Sequence, residues 1–269
     1  MNETLIRATS GIVYVAIFLF SCWYSELSFK IFMGIFLVLA TVEFTKLVKL
    51  NGIIAFLIAI CYYAVFGFFD NLENQFDLYI VLFSVFTAFW LLVNLFSVKN
   101  VLQVNTLSKY LVFTGYIVSA FILITKIPKI EDRYLPNQII SIFVLIWIND
   151  TFAYLFGKSF GKHKLLEHIS PKKTIEGFLG GAIFTIIFSV IVPKYFIVDP
   201  VWKWLVIAII VVVFSTLGDL IESKFKRSAG VKDSGNVLPG HGGILDRLDS
   251  IIFVAPFVFL FLKIINYVS

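Results

Sequence analysis

The chain has 269 residues, of which 59% are hydrophobic, 17% aromatic and only 14% charged, and its net charge is +5. Soluble domains carry about 25% charged residues, so this chain cannot cover a water-soluble globule, and the same composition excludes a disordered one. One membrane-crossing helix uses about 20 apolar residues, and the apolar content suffices for about eight or nine of them with little left over.

The expected fold is therefore all-α, a polytopic integral membrane protein with about nine transmembrane helices. In a membrane protein the placement of Lys and Arg matters more than their total, so the positive charge does not argue for a nucleic-acid partner.

Hydropathy places candidate spans at 8–25, 29–48, 53–69, 78–97, 110–126, 139–156, 176–194, 201–221 and 251–268. Arg7 followed by an apolar run mimics a signal peptide, and Leu19-Phe20-Ser21-Cys22 resembles a lipid-attachment box. Phe20 is too bulky for that box, so the segment reads as the first span. Cys22 and Cys61 form no metal or redox pattern and read as buried packing residues. In the last span Pro256 predicts a kink, and Lys263 must snorkel toward an interface.

Nine spans put the termini on opposite faces. Fifteen of the 22 basic residues fall on the face that holds the N-terminus and the loops after spans 2, 4, 6 and 8. The positive-inside rule assigns that face to the cytoplasm, with the inner (plasma) membrane as the expected location.

The two halves differ. Residues 1–127 contain no proline and read as a transmembrane scaffold, with Glu43 the one carboxylate inside a span. Residues 128–269 hold all seven prolines and the two longest polar loops, 157–175 and 222–250, and read as the catalytic region.

Carboxylates near lipid mark the chemistry, because a charge at mid-membrane costs about 2.5–3.5 kcal/mol on insertion scales. Asp150 closes one apolar run; it sits either at the water interface or in an internal cavity. Asp219, Glu222, Ser223 and Lys226 are spaced i, i+3, i+4 and i+7, so a continuing helix lines them up on one face. That stripe is either a surface pairing or an ion ligand, a hydroxyl and a cation in series.

Downstream come Arg227, Lys232-Asp233, four glycines around His241, and Asp246-Arg247-Leu248-Asp249, which opens the final span. Basic side chains suit phosphate oxygens, glycines let backbone N–H groups approach an anion, and carboxylates are the hard ligands that Mg²⁺ prefers. The combination points to metal-assisted chemistry on a polyphosphate at a membrane surface. His241 is either a general acid or a turn-packing residue. In the loop after span 6, Ser170 reads as a helix cap, with Pro171 in the first turn and Lys172 and Lys173 near its start, a potential anion site. P-loop, HExxH, GxSxG and GxGxxG signatures are missing.

The segment Ser223–Asp249, SKFKRSAGVKDSGNVLPGHGGILDRLD, resembles the signature of the phosphatidate cytidylyltransferase (CDP-diacylglycerol synthase) family at every specified position. Asp150-Thr151-Phe152-Ala153-Tyr154, Ser170-Pro171-Lys172-Lys173-Thr174-Ile175-Glu176-Gly177 and Gly218-Asp219 are similar to it as well. The resemblance covers roughly the C-terminal 120 residues, in a family of all-helical membrane proteins. It implies that CTP and phosphatidic acid are converted into CDP-diacylglycerol and pyrophosphate, with Mg²⁺ required and a monovalent cation such as K⁺ beside it. It further implies a homodimer, embedded in membrane lipid. Asp219 and Asp246 match the family's metal-binding aspartates, and with Lys226 they form the expected catalytic set.

On that reading Lys226, Arg227 and Lys232 hold the triphosphate, and Lys172, Lys173 or Arg247 receives the lipid head group. Asp150, Ser223, Asp233, His241 and Asp249 complete the expected substrate-binding residues. Two rivals remain at this stage: a transporter that uses Asp150, Asp219 and Glu43 as an ion pathway, and another membrane phosphotransferase such as a CTP-dependent lipid kinase.

Overall fold

The structure, a computed structural model, describes residues 3–69, 74–97, 104–130, 133–197, 199–237 and 242–268. Among these residues nine helical segments follow one another: α1 (Glu3–Tyr24), α2 (Glu26–Val48), α3 (Gly52–Phe68), α4 (Asn74–Leu95), α5 (Thr106–Lys126), α6 (Pro136–Phe160), α7 (Ile175–Tyr195), α8 (Val201–Ala229) and α9 (Leu245–Val268). Seven are long and apolar enough to cross a membrane, and Thr9–Tyr24 and Gly52–Phe68 are shorter apolar stretches. The nine expected spans thus correspond one to one with helices.

Local chemistry sets the boundaries. Ser25 and Ser28 form a reciprocal capping box at the start of α2. Asn51 accepts from Ile53 and Ile54 N–H at the start of α3, and Asn105 accepts from Ser108 N–H at the start of α5. Pro136 occupies the first turn of α6, where its missing N–H costs nothing. Gly230 ends α8 at φ 73°, a left-handed conformation that glycine adopts without strain. Turns of π-helix end α3 at Ala64–Phe68 and interrupt α5 at Phe113–Val118; at the second, the Ser84 hydroxyl donates to the Gly115 carbonyl at 2.8 Å.

Two boundaries move relative to the sequence reading. Helix α8 continues through Ala229 and α9 begins at Leu245, so most of the first third of the expected polar loop 222–250 is helix. Pro256 lies inside α9, which runs through it as one helix.

Helix α9 is the centre of the bundle. Every residue from Ser250 to Phe259 is buried, the signature of a helix surrounded on all sides. It packs against α8, α5 and α4, while α6 and α7 form the tightest pair and α7 also packs on α8. Phe214 of α8 stacks on Phe257 of α9 with ring centroids 3.6 Å apart, and Phe152 of α6 stacks on Phe184 of α7 at 3.7 Å. The outer faces are apolar and exposed, as at Phe86 and Val93 on α4 and Ile183 and Ile187 on α7. So broad an exposed apolar surface belongs in lipid. Cys22 is buried as expected; Cys61 is exposed, because it lies on the outward face of α3 beside Leu57 and Ile60.

Contacts sort the helix ends into two sets. At one end Lys109 donates to the Val48 carbonyl at 2.9 Å, and Lys224 donates to the carbonyls of Asn94, Leu95 and Ser97. At the other end Lys30 pairs with Glu26 at 2.7 Å, Lys126 with Asp77 at 2.7 Å and Lys203 with Asp199 at 3.0 Å. Lys263 also approaches Asp77, at 3.9 Å. Lys109 and Lys224, expected on one face, fall in the first set, and Lys30, Lys126, Lys203 and Lys263, expected on the other, fall in the second.

Lys224 is only 8% exposed, so its ammonium closes the last carbonyls of α4 in place of water. Lys224→Met removes the ammonium from these three carbonyls and is expected to destabilise the protein by about 2 kcal/mol. Thermal unfolding in detergent checks this; an unchanged melting temperature would show that the contact contributes nothing.

Candidate active site

The site forms where the C-terminal ends of α6 and α8 and the N-terminal end of α9 meet the connection between α6 and α7. That connection is an antiparallel hairpin, β3 (Lys164–Leu166) with β4 (Ser170–Thr174), the second of two short hairpins after β1 (Lys129–Ile130) and β2 (Arg133–Tyr134). Ser170 and Pro171 therefore do not open a helix, contrary to the sequence reading; Thr174 caps α7 instead, accepting from Gly177 N–H at 3.1 Å. The cause lies in Glu176, whose carboxylate accepts from Lys162 and His163 N–H and pairs with His163 Nδ1 at 2.6 Å. This ties the exit of α6 to the first turn of α7 and leaves the intervening segment to close as a hairpin. Lys172 and Lys173 are consequently presented from a strand.

A cavity of about 820 Å³ opens between these elements, within the range of about 300–1,000 Å³ usual for small-molecule sites. Its wall carries five carboxylates, Asp150, Asp219, Asp233, Asp246 and Asp249, and six cations, Lys158, Lys164, Lys172, Lys173, Lys226 and Arg247. Such near balance suits neither a lone anion nor a lone cation. It suits a polyphosphate together with a metal ion. A second cavity of about 400 Å³ shares Asp150, Asp246, Arg247, Asp249 and Ser250 with the first, and reaches Tyr14 of α1 and Trp147 of α6.

The stripe read from α8 exists on one continuous helix. Asp219 accepts from the Ser223 hydroxyl at 3.2 Å and pairs with Lys173 at 2.6 Å. Lys226 bridges Glu222 and Asp246, the latter at 2.7 Å, and so links α8 to α9. The other oxygen of Asp246 accepts from Gly243 N–H at 2.7 Å, Ser234 N–H at 2.9 Å and the Ser234 hydroxyl at 3.0 Å. Asp219, Glu222 and Asp249 each offer an oxygen within 4.8 Å of the others. Three carboxylates from two helices are an appropriate donor set for a hard divalent cation.

Helix contact sets this spacing. A Cβ on Gly218 would lie 2.6 Å from the Asp249 carbonyl oxygen and 2.7 Å from Phe253 Cβ, so α8 and α9 touch backbone to backbone one residue before Asp219.

Of the expected residues, the larger cavity gathers Asp150, Lys172, Lys173, Asp219, Lys226, Asp233, Asp246, Arg247 and Asp249. Ser223 stands behind them, bonded to Asp219. Arg227 and Lys232 are exposed outside the lining, with Arg227 3.4 Å from the Val231 carbonyl. His241 lies outside the described residues.

Sequence reasoning gave no site role to Lys158 or Lys164, and Glu43 entered it only as a transporter residue. Glu43 is 3% exposed, and its carboxylate accepts from Ile244 N–H, Leu245 N–H and the Ser234 hydroxyl, each at 2.9 Å. Its isolation as a carboxylate among apolar residues was the available signal; the partner, about 200 positions away in the chain, was not.

A family model described as the cytidylyltransferase family matches residues 5–265. The phosphatidate cytidylyltransferase of Staphylococcus haemolyticus (strain JCSC1435) is 53% identical over 123 residues, 45% of this chain and 46% of that protein. The phosphatidate cytidylyltransferase of Staphylococcus aureus (strain COL) is 54% identical over 125 residues, again 45% and 46%. The aligned stretch thus spans a little under half the length of these curated relatives.

Gly218→Ala must separate α8 from α9 and is expected to cost roughly 1–3 kcal/mol. Both the melting temperature and the affinity for Mn²⁺ should fall, measured by thermal unfolding and by metal titration. Wild-type values for both would show that this close approach does not set the spacing of the carboxylates.

Proposed function

The chain belongs to the cytidylyltransferase family, and from that premise we propose that it is a phosphatidate cytidylyltransferase. It transfers the cytidylyl group of CTP to phosphatidic acid, yielding CDP-diacylglycerol and pyrophosphate for phospholipid synthesis. The observation that carries this reading is the cavity in which carboxylates of α6, α8 and α9 face lysines of α6, α8 and the β3–β4 hairpin. Residues 128–269 supply that entire lining, which supports treating them as the catalytic region and residues 1–127 as scaffold.

The chemistry needs no strong base. A phosphate monoester has its second pKa near 6, so the lipid phosphate is already a nucleophile at neutral pH. One of its oxygens forms a bond to the α-phosphorus of CTP, the bond from that phosphorus to the bridging β-oxygen breaks, and pyrophosphate leaves with the electron pair. The barrier is the approach of two anions.

Asp219 and Asp246 are the proposed Mg²⁺ residues; Glu222 and Asp249 lie close enough to Asp219 to share the task, whereas Asp246 stands outside that trio, paired with Lys226; a monovalent cation such as K⁺ belongs to the same reading. When bound, Mg²⁺ would neutralise charge on the triphosphate. The chain's own residues do the rest. Lys226, 2.7 Å from Asp246, holds that carboxylate toward the cavity. Lys172 and Lys173 bring two positive charges to the cavity from the hairpin, Lys173 directly beside Asp219. Arg247 lines both cavities, and its planar donor fork suits a phosphate that enters from the smaller one. The apolar wall beside Tyr14 and Trp147 suits the glycerolipid.

The reading places this face toward the cytoplasm across the inner membrane, where CTP is available, and includes the homodimer that the resemblance implies.

Purified protein incubated with α-labelled CTP, phosphatidic acid and Mg²⁺ is expected to move label into lipid and release one pyrophosphate per transfer. Release of CDP instead would identify a kinase, and unlabelled lipid would overturn the proposal. Asp219→Ala and Asp246→Ala should each lower turnover by about a hundredfold or more while the protein still inserts and folds. Lys226→Ala should raise the KM for CTP or lower kcat, and retention of both would remove that lysine from the mechanism.

A further inference from the structure

The Mg²⁺ and nucleotide residues proposed above lie on α8 and α9, yet the start of α9 is held by a side chain from α2. A helix start leaves N–H groups without intrahelical partners, and they are ordinarily satisfied by a capping side chain from the same chain segment or by water. Here Ile244 and Leu245 donate instead to Glu43, to Oε1 and Oε2 respectively, both at 2.9 Å. The Ser234 hydroxyl lies 2.9 Å from Glu43 Oε2 and 3.0 Å from Asp246 Oδ2. Its single proton is thus shared between a carboxylate of α2 and a site carboxylate of α9.

Gly235 and Gly243 have a steric reason in the same place. A Cβ on Gly235 would lie 2.6 Å from Glu43 Oε1, and one on Gly243 would lie 2.5 Å from Glu43 Oε2. At Gly235 and Gly243 the backbone lies against this carboxylate with no room for a side chain. Glu43 is 3% exposed and does not line either cavity that holds the site.

We propose that Glu43 is a positioning residue for the reaction: its carboxylate pins Ser234, Ile244 and Leu245, the last two at the N-terminus of α9, and so sets where Asp246 and Asp249 stand for metal and nucleotide. The inference rests on the proposed function for its consequence, but the contact itself stands independently of the reaction. A carboxylate is suited to the task because its two oxygens accept three donors at once, and a negative charge is stabilised at a helix N-terminus.

The test compares Glu43→Gln, Glu43→Asp and Val42→Ala in the full-length protein in detergent. Val42 is the adjacent, outward-facing residue of α2 and controls for general disturbance of that helix. Three quantities are read: amide hydrogen exchange over 242–248, Mn²⁺ affinity without substrate, and the melting temperature. Both Glu43 variants should exchange faster over 242–248 and bind Mn²⁺ about tenfold more weakly, the scale typical of outer residues that orient metal ligands. Val42→Ala should match the wild type, and the melting temperature of all three should change by only a few degrees.

Glu43→Asp retains the charge but withdraws it by one methylene. Wild-type behaviour of Glu43→Asp beside a weakened Glu43→Gln would make Glu43 a remote charge and overturn the proposal. Unchanged exchange in both would overturn it too, as would faster exchange spread over the whole chain with a collapsed melting temperature. A wild-type protein that binds no Mn²⁺ and turns over no CTP would instead overturn the proposed function, since exchange over 242–248 still reads the Glu43 contact.

Discussion

Carboxylates crowded at one end of an apolar helix bundle repel one another, and the arrangement of this site follows from how that repulsion is offset. Two unit charges about 4.8 Å apart oppose each other by on the order of 3 kcal/mol at an effective dielectric near 20, the repulsion that ionising any two of Asp219, Glu222 and Asp249 together would bring. The protein sets a cation against the cluster on two sides. Lys226 stands between Glu222 and Asp246, and Lys173 reaches Asp219 from the hairpin. The cluster is thus held together by lysines on separate elements, and it brings to one place the charges that a metal and a triphosphate would exploit.

Helix packing makes that possible. Close approach at Gly218 brings α8 onto α9, and the glycines at 177, 180 and 181 let α7 lie tightly against α6, where a Cβ would meet Ala153, Phe156 or Asn149 at well under 3 Å. Small residues at such crossings are how helices in lipid gain contact without a hydrophobic driving force between them. Among the described residues the site is therefore assembled on helices and the hairpin, and carboxylates tie both: Glu176 holds the hairpin, and Glu43 holds Ile244 and Leu245 at the start of α9.

That pairing also joins the two halves of the chain. Residues 1–127 look like passive scaffold by composition, with short loops and few charges. The buried carboxylate of α2 nevertheless ends at the backbone of α9, and Lys224 of α8 closes the end of α4. Both contacts are buried, where an ionic hydrogen bond lost from one side leaves the other side unsatisfied at considerable cost.

Much was legible without coordinates because the lipid environment imposes simple rules. Span number follows from apolar run length, and helix is required wherever backbone must be satisfied in hydrocarbon. The i, i+3, i+4, i+7 spacing put Asp219, Glu222, Ser223 and Lys226 on one face, since helical periodicity is local. The sequence signature likewise singled out Asp246 and Asp249, which the fold brings beside Asp219 in one cavity. The 164–174 hairpin was not legible: its cause is a bond from Glu176 back to residues 162 and 163, and a cap signal at Ser170 reads equally well without it. Nor was the partner of Glu43, because hydropathy carries no information about which buried carboxylate meets which helix end. By itself the sequence determined the class of fold and its helices, consequences of local composition and period, and it singled out the residues proposed to bear chemistry. Only the tertiary structure decided which of those residues share a cavity and what holds them there, because those facts depend on contacts between segments up to about 200 residues apart, settled by side-chain volume and hydrogen-bond geometry in the folded bundle.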